Sequence, residues 1–249
     1  MRFKDKIAVV LGGNSGIGLA TAKAFASEGA KVVISGRDAK TLEAAAAEIG
    51  NCRAEVCDIA DLDALEMFYE GVKANEGRID ALSVNAGVGG FAPIHQVTPE
   101  LWDHILGVNL RGCFFGAQKA LPLMGKGGAI VFTSSVGSVL SMVGGSVYSA
   151  SKAGLRAVAR NMAKELLQAG IRVNTVSPGP TETPLLGRGG HMTEEQLAAA
   201  VSHLRSVVPM GRMGDPAEIA RAILFLASDD ASFITGIDMY VDGGCVEIG

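Results

Sequence analysis

Short, mainly apolar runs alternate along this chain with longer stretches in which apolar residues return every three or four positions. The runs KIAVVL (6–11), AKVVIS (30–35), RAEVC (53–57), IDALSVN (79–85), GAIVFTSS (128–135), IRVNTVS (171–177) and IDMYVDGG (237–244) predict strands. Between them, residues 16–28, the alanine-rich 39–49 and 61–75 predict helices. A long helix is predicted from Thr98, whose hydroxyl suits an N-cap, with Pro99 at the first helical position, where no N–H is needed. Asp215-Pro216 repeats that cap-then-proline pattern and predicts a helix over about 215–228. Strands that are apolar on both faces and separated by helices indicate a parallel sheet covered on both sides. Right-handed crossovers then give an α/β, doubly wound, Rossmann-type sheet of about seven strands with helices on both faces.

No repeat or linker divides the chain, so residues 1–249 are expected to form a single domain. The glycine-rich, polar stretch ETPLLGRGGHMT (182–193) reads as a mobile loop rather than a boundary. At 249 residues the chain is long enough to bury a large core. Its hydrophobic fraction of 48% is high, yet no run nears the roughly 18 consecutive apolar residues of a membrane helix. The start, MRFKDKIAVVLGG, lacks the pattern of a secretory signal, so a soluble, cytoplasmic protein with no membrane partner is expected. Net charge is −4 with both signs scattered, which argues against nucleic-acid binding. Cys52, Cys57, Cys113 and Cys245 make no CxxC pair and are expected to be reduced thiols. His95, His104, His191 and His203 show no metal-ligating spacing, so no metal is expected.

Two stretches carry candidate chemistry. The first predicted strand runs into GGNSGIG (12–18), with Gly12, Gly16 and Gly18 in GxxxGxG spacing. Such glycines permit a tight turn and let backbone N–H groups approach a phosphate at a helix N-terminus. A purely structural strand-to-helix turn is the competing reading. In YSASK, Tyr148 and Lys152 lie one helical turn apart, with β-carbons roughly 5–6 Å from each other. An ammonium beside a phenol favours the phenolate and tunes the phenol for proton transfer. The second strand ends in SGRD. Arg37 there suits the 2′-phosphate of NADP, whereas the neighbouring Asp38 keeps NAD open, and a merely solvated Arg37 remains an alternative.

Taken together, these stretches resemble the short-chain dehydrogenase/reductase family from Lys6 to about Gly244. The family's TGxxxGxG reads LGGNSGIG, with Leu11 in the threonine place, and its NNAG reads VNAG, with Val84 in the first place. YxxxK is Tyr148 to Lys152, and Ser135 stands thirteen residues before the tyrosine, with Ser134 beside it. Asn109 in GVNLRG, Pro178-Gly179 with Thr183, and the terminal ITGIDMYVDGG complete the pattern. The resemblance implies a hydride transfer between a nicotinamide cofactor, NADP with NAD possible, and a ketone or secondary alcohol. Tyr148 would be the acid/base. Lys152 would support it and hold the nicotinamide ribose, Ser135 would orient the carbonyl, and Asn109 would hold a relay water. Cofactor contacts would come from Gly12, Asn14, Ser15, Gly16, Ile17, Gly18, Arg37, Asp58, Ile59, Asn85, Ala86, Gly87, Tyr148, Lys152, Pro178, Gly179, Thr181 and Thr183.

The substrate is expected against Ser135, Met142, Tyr148 and Leu185, with Gly89, Gly90, Phe91, Val136 and Gly137 nearby and a substrate loop over about 183–210. Leu186 and Met192 make that loop partly apolar, and the glycines of GRGG suit a closing lid. The pocket suggests a small or medium, fairly apolar carbonyl or alcohol. Family members are usually homotetramers, with contacts from helices near 99–123 and 149–168 and from the last strand; Gly107, Gly112 and Gly116 would let helices approach. An NAD-dependent alcohol, sugar or hydroxysteroid dehydrogenase and a non-catalytic dinucleotide sensor are the other readings.

Overall fold

The computed structural model describes residues 1–184 and 193–249. Seven parallel strands form one sheet: β1 (Ile7–Leu11), β2 (Lys31–Gly36), β3 (Cys52–Val56), β4 (Ile79–Val84), β5 (Met124–Thr133), β6 (Arg172–Pro178) and β7 (Asp238–Val241). Their order is β3-β2-β1-β4-β5-β6-β7. The helices are α1 (Gly16–Ser27), α2 (Ala39–Ile49), α3 (Leu62–Asn75), α4 (Pro99–Leu106), α5 (Cys113–Ala120), α6 (Ser146–Glu165), α7 (Glu194–Ser206) and α8 (Pro216–Ala227).

Alternation along each strand feeds two cores. Val9 and Leu11 of β1 join α3, α5 and α6 on one face, while Ala8 and Val10 join α1, α2 and α8 on the other. All five β1 residues are therefore buried, which is why the central strands read as unbroken apolar runs.

Three differences from the sequence reading have physical causes. The predicted long helix after Thr98 begins as expected, with Thr98 accepting from the Leu101 N–H at 3.2 Å. It is then interrupted by a π-helical stretch over Gly107–Gly112, a wider winding that often re-aims a side chain at functional sites. Second, β5 starts at Met124 and ends at Thr133, before both candidate serines. Its exposed Gly125-Lys126-Gly127 carries no apolar signal, and the pairing with β4 shifts register there. Third, helix α7 falls within the segment expected as a substrate loop, about 183–210. Its sign was the capping box Thr193-Glu-Glu-Gln196, with both reciprocal hydrogen bonds present. No helix among the described residues is long and apolar enough to cross a membrane.

Candidate active site

The order of connections reverses between β1 and β4, and in such sheets ligands bind beyond the strand C-termini at that point. The glycine turn closes there. Gly12 has φ +78°, and a β-carbon on it would lie 2.7 Å from Ala86 Cα. One on Gly18 would fall 2.0 Å from the Gly12 carbonyl oxygen. Asn85 fastens the turn from below, its Nδ2 donating to Gly12 O at 3.2 Å. Gly16, Ile17 and Gly18 form the first turn of α1 after Ser15 at the N-cap, where backbone N–H groups lack intrahelical acceptors. Asn14 presses on Gly36, and its Nδ2 donates to Thr41 Oγ1 at 2.8 Å. Leu11 and Val84, the two departures from the family's polar residues, are both buried in apolar packing.

The segment after β6 reaches back over this turn. A β-carbon on Gly179 would lie 2.7 Å from Asp242 Cα, so β6 and β7 leave the sheet in close approach just beyond Pro178. Thr181 donates to Gly179 O at 2.9 Å and bridges to Gly214. Thr183 then comes within 3.3 Å of where a Gly16 β-carbon would be. Leu185, Leu186, Met192 and the GRGG stretch lie outside the described residues.

At the end of β2, Arg37 is exposed and makes no hydrogen bond or ion pair with the described residues. Asp38 is occupied otherwise: it caps α2, accepting from the Thr41 N–H at 2.8 Å. That hydrogen bond holds its carboxyl below the usual range. Asp58 accepts from the Ala60 N–H at 2.9 Å through Oδ1, and Ile59 is buried with its carbonyl against Gly112.

The YSASK stretch opens α6, whose first residue is Ser146. Ser135 Oγ and Tyr148 Cε1 each lie 3.4 Å from the position of a β-carbon on Gly137, and Met142 Cε lies 2.6 Å from it. A glycine at 137 thus lets three expected substrate-side groups converge. The strand end separates the two serines. Ser134 is buried and donates to Lys152 O at 3.1 Å, whereas Ser135 is partly exposed and accepts from the Gly137 N–H at 3.1 Å. Tyr148 is partly buried, and its hydroxyl has no hydrogen-bond partner among the described residues.

Lys152 is 4% exposed. Its Nζ donates to Thr133 O at 3.0 Å and lies 5.9 Å from the Tyr148 ring centroid. Among the described residues it has no carboxylate partner, so two of its three donors are uncommitted. A buried ammonium in that condition is costly. Beyond it, Gly87 leaves space: a β-carbon there would sit 3.4 Å from both Lys152 Nζ and Asn109 Oδ1. Asn109 lies in the π-helical stretch and is fully buried. It accepts from the Val88 N–H at 2.8 Å, donates to Val88 O at 2.9 Å, and donates to Ser151 Oγ at 3.2 Å. Ser151 in turn donates to Tyr148 O at 2.6 Å.

Thr133, Val88 and Ser151 were absent from the sequence reading, because backbone acceptors and a helix-to-loop clamp leave no residue-type signature. One turn beyond Lys152, Arg156 pairs with Asp238 at 2.5 Å and anchors α6 to β7. Burial pushes the Asp238 carboxyl up, against the pull of Ser177 and Arg156. Burial likewise pushes the Cys113 thiol up to about 11 despite the nearby Lys152 charge, so it is no nucleophile at neutral pH.

The residues suit a nicotinamide dinucleotide. The glycine turn offers a cradle that β-carbons would fill, and the uncommitted donors of Lys152 match sugar hydroxyls. Comparisons agree with this chemistry. The family model described as enoyl-(acyl carrier protein) reductase matches residues 12–246. An oxidoreductase of Sarocladium schorii is 41% identical, covering 99% of this chain and 98% of its own. A 3-oxoacyl-(acyl-carrier-protein) reductase of Thermotoga maritima is 39% identical, covering 99% of this chain and all of its own (100%). Among solved structures, levodione reductase superposes with a TM-score of 0.92 at 34% identity, covering 98% of both chains.

Proposed function

The chain belongs to the short-chain dehydrogenase/reductase family, and from that premise we propose that it reduces a ketone to a secondary alcohol, or the reverse, with NADPH as the preferred cofactor and Tyr148 as the acid/base. It is an NAD(P)-dependent oxidoreductase. The observation that carries the finer reading is the convergence of Ser135 and Tyr148 at Gly137 near a buried Lys152 with one of its three donors committed. The residues that would hold the cofactor are the glycine turn at the pyrophosphate, Lys152 at the nicotinamide ribose, Thr183 at the carboxamide and Arg37 at the adenosine ribose. When bound, that cofactor supplies or takes the hydride.

The protein's own part is proton transfer and orientation. Ser135 donates a hydrogen bond to the substrate oxygen and fixes it beside the Tyr148 hydroxyl. Tyr148 gives its proton to that oxygen as negative charge develops, and takes it back in the oxidation direction. The Lys152 ammonium stabilises the phenolate left behind, an effect strengthened by its burial. Asn109, clamped to both Val88 backbone groups, fixes its own position across Gly87 from Lys152, where a relay water would sit. Relatives named for reducing a 3-oxoacyl group and levodione fit a carbonyl substrate. One unit over residues 1–249 would bind both cofactor and substrate. The four free cysteines suit a reducing, cytoplasmic setting.

Asp38 caps α2 through one carboxylate oxygen while Arg37 makes no ion pair among the described residues, which supports the Arg37 guanidinium as the ribose-side group. Arg37→Ser is therefore expected to weaken NADPH binding about 10–100-fold, the worth of one or two charge-assisted hydrogen bonds. NADH binding should change far less. Fluorescence titration of both cofactors checks this; equal losses, or tighter NADH binding by the wild type, would remove the NADP assignment and leave the oxidoreductase.

A homotetramer is part of the same proposal. The outer face of α5 and α6 carries a groove of about 300 Å³ whose mainly apolar lining of Phe114, Leu121, Val158, Met162 and Leu166 is interrupted by Gln118, Asn161 and Glu165. An apolar face of that kind favours pairing with a second copy. Two of the glycines expected to aid such contacts serve inside the subunit instead. Gly112 lies against Ile59 O and Gly116 against Leu11 Cδ1. Light scattering is expected to give four times the chain mass of 25.6 kDa; a monomer mass would refute the assembly.

A further inference from the structure

We infer that Phe91 is a specificity-determining residue and that the site selects uncharged ketones bearing a flat apolar ring beside the carbonyl; this rests on the carbonyl-reduction reading above. The Phe91 ring lies 5.6 Å from that of Tyr148, centroid to centroid, at 39°. The two rings form an angled apolar wall at the reacting phenol. Phe91 is nevertheless 60% exposed, so its ring adds little to the core. Its backbone is held on both sides. Before it, a β-carbon on Gly90 would meet Ile105 Cδ1 at 2.6 Å, so the loop packs tightly on α4. After it, the Ala92 N–H donates to Gly144 O at 3.0 Å, and Gly144 has φ +73° with its β-carbon position 3.3 Å from Ala92 N. That bond ties the two rim segments together. An exposed aromatic ring fixed beside a reactive group is a preformed contact surface.

The rim's charge narrows the ligand. Residues 88–97 and 136–147, the segments on either side of Tyr148, contain no Asp, Glu, Lys or Arg. They present Phe91, Val139, Leu140, Met142 and Val143 as exposed apolar groups. Glu182, on the segment after β6, is paired with Arg205 at 3.1 Å. Among the described residues, the exposed His95 is the one titratable side chain of these two segments, so the rim offers no permanent charge to compensate a carboxylate or phosphate on the substrate, and desolvating such a group against apolar walls is unfavourable. An aryl or cyclic ketone can lay its ring on Phe91 while its oxygen meets Ser135 and Tyr148.

The test is steady-state reduction of acetophenone, its carboxylated counterpart acetylbenzoate, and butanone, each with NADPH and with NADH, by the wild type and by Phe91→Ala and Phe91→Leu. Wild type is expected to prefer acetophenone to acetylbenzoate by at least about tenfold in kcat/KM. Phe91→Ala should reduce the acetophenone-to-butanone ratio of kcat/KM by about tenfold, mainly through KM, and Phe91→Leu should restore only part of it. Preference for acetylbenzoate overturns the uncharged-substrate assignment. Equal loss on acetophenone and butanone makes Phe91 a support for Tyr148 and overturns its role in specificity. Failure of all three ketones in a protein that binds cofactor overturns both this inference and the carbonyl-reduction reading, whereas the first two outcomes leave that reading intact.

Discussion

Tyr148→Phe is expected to lower kcat by about 10²–10⁴-fold, the usual worth of a positioned general acid or base. Cofactor affinity should stay within a few-fold of the wild type. The substitution removes one hydroxyl and keeps the ring, so the tilted contact with Phe91 and the position near Lys152 persist. The hydroxyl bonds to none of the described residues, so its loss strands no buried partner and stability should barely change. A folded, cofactor-binding protein that cannot turn over is the specific signature of a missing proton donor. Stopped-flow or steady-state assays alongside cofactor titration read it directly, and turnover within a few-fold of the wild type would sink the assignment.

The second large effect is Lys152→Met, which keeps most of the unbranched side chain and removes the terminal ammonium. Two losses are expected together: kcat falls at least about 10²-fold, because the phenolate loses its stabilising cation, and cofactor binding weakens at least about tenfold, because charged donors to the ribose are gone. Stability should move the other way or not at all. Lys152 has no carboxylate partner among the described residues and only Thr133 O to satisfy it, so replacing it by an apolar group relieves a buried charge. The thermal midpoint of the variant should therefore equal or exceed that of the wild type. A sharp fall in thermal stability with cofactor affinity retained would instead make Lys152 a structural tie between α6 and β5.

Both residues are legible in the chain alone. The reason is local. Tyr148 and Lys152 lie four residues apart on one helix, so their nearness follows from helical geometry alone. The glycine turn was legible for a similar reason, since a strand, three glycines and a helix in sequence leave few ways to build the connection. The alternation of apolar runs reported a parallel sheet because each strand is buried on both faces, and Ala8 and Val10 serve one core while Val9 and Leu11 serve the other.

Other parts of the site were ambiguous in the chain and resolved by packing. Adjacent serines at 134 and 135 differ only in direction, and it took the end of β5 and the carbonyl of Lys152 to bury one and leave the other open. Asp38 beside Arg37 reads in the chain as a second charged group at the end of β2; only the structure shows that it also caps α2. Asn109 sat in what reads as continuous helix; its wider π winding is seen only where the Val88 backbone and Ser151 take up its side-chain groups. Gly112 and Gly116, suited by composition to helix contacts between subunits, prove to be spaces for Ile59 and Leu11 within one.

The sequence by itself thus determined the alternating α/β architecture, the family and the pair at 148 and 152, since periodicity and short spacings are properties of neighbouring residues. Only the tertiary structure decided which serine hydroxyl is left open, which charge at the end of β2 is unpaired among the described residues and which ring stands beside the phenol. Those depend on groups brought together from segments tens of residues apart, and a chain read in one dimension holds no record of such distances.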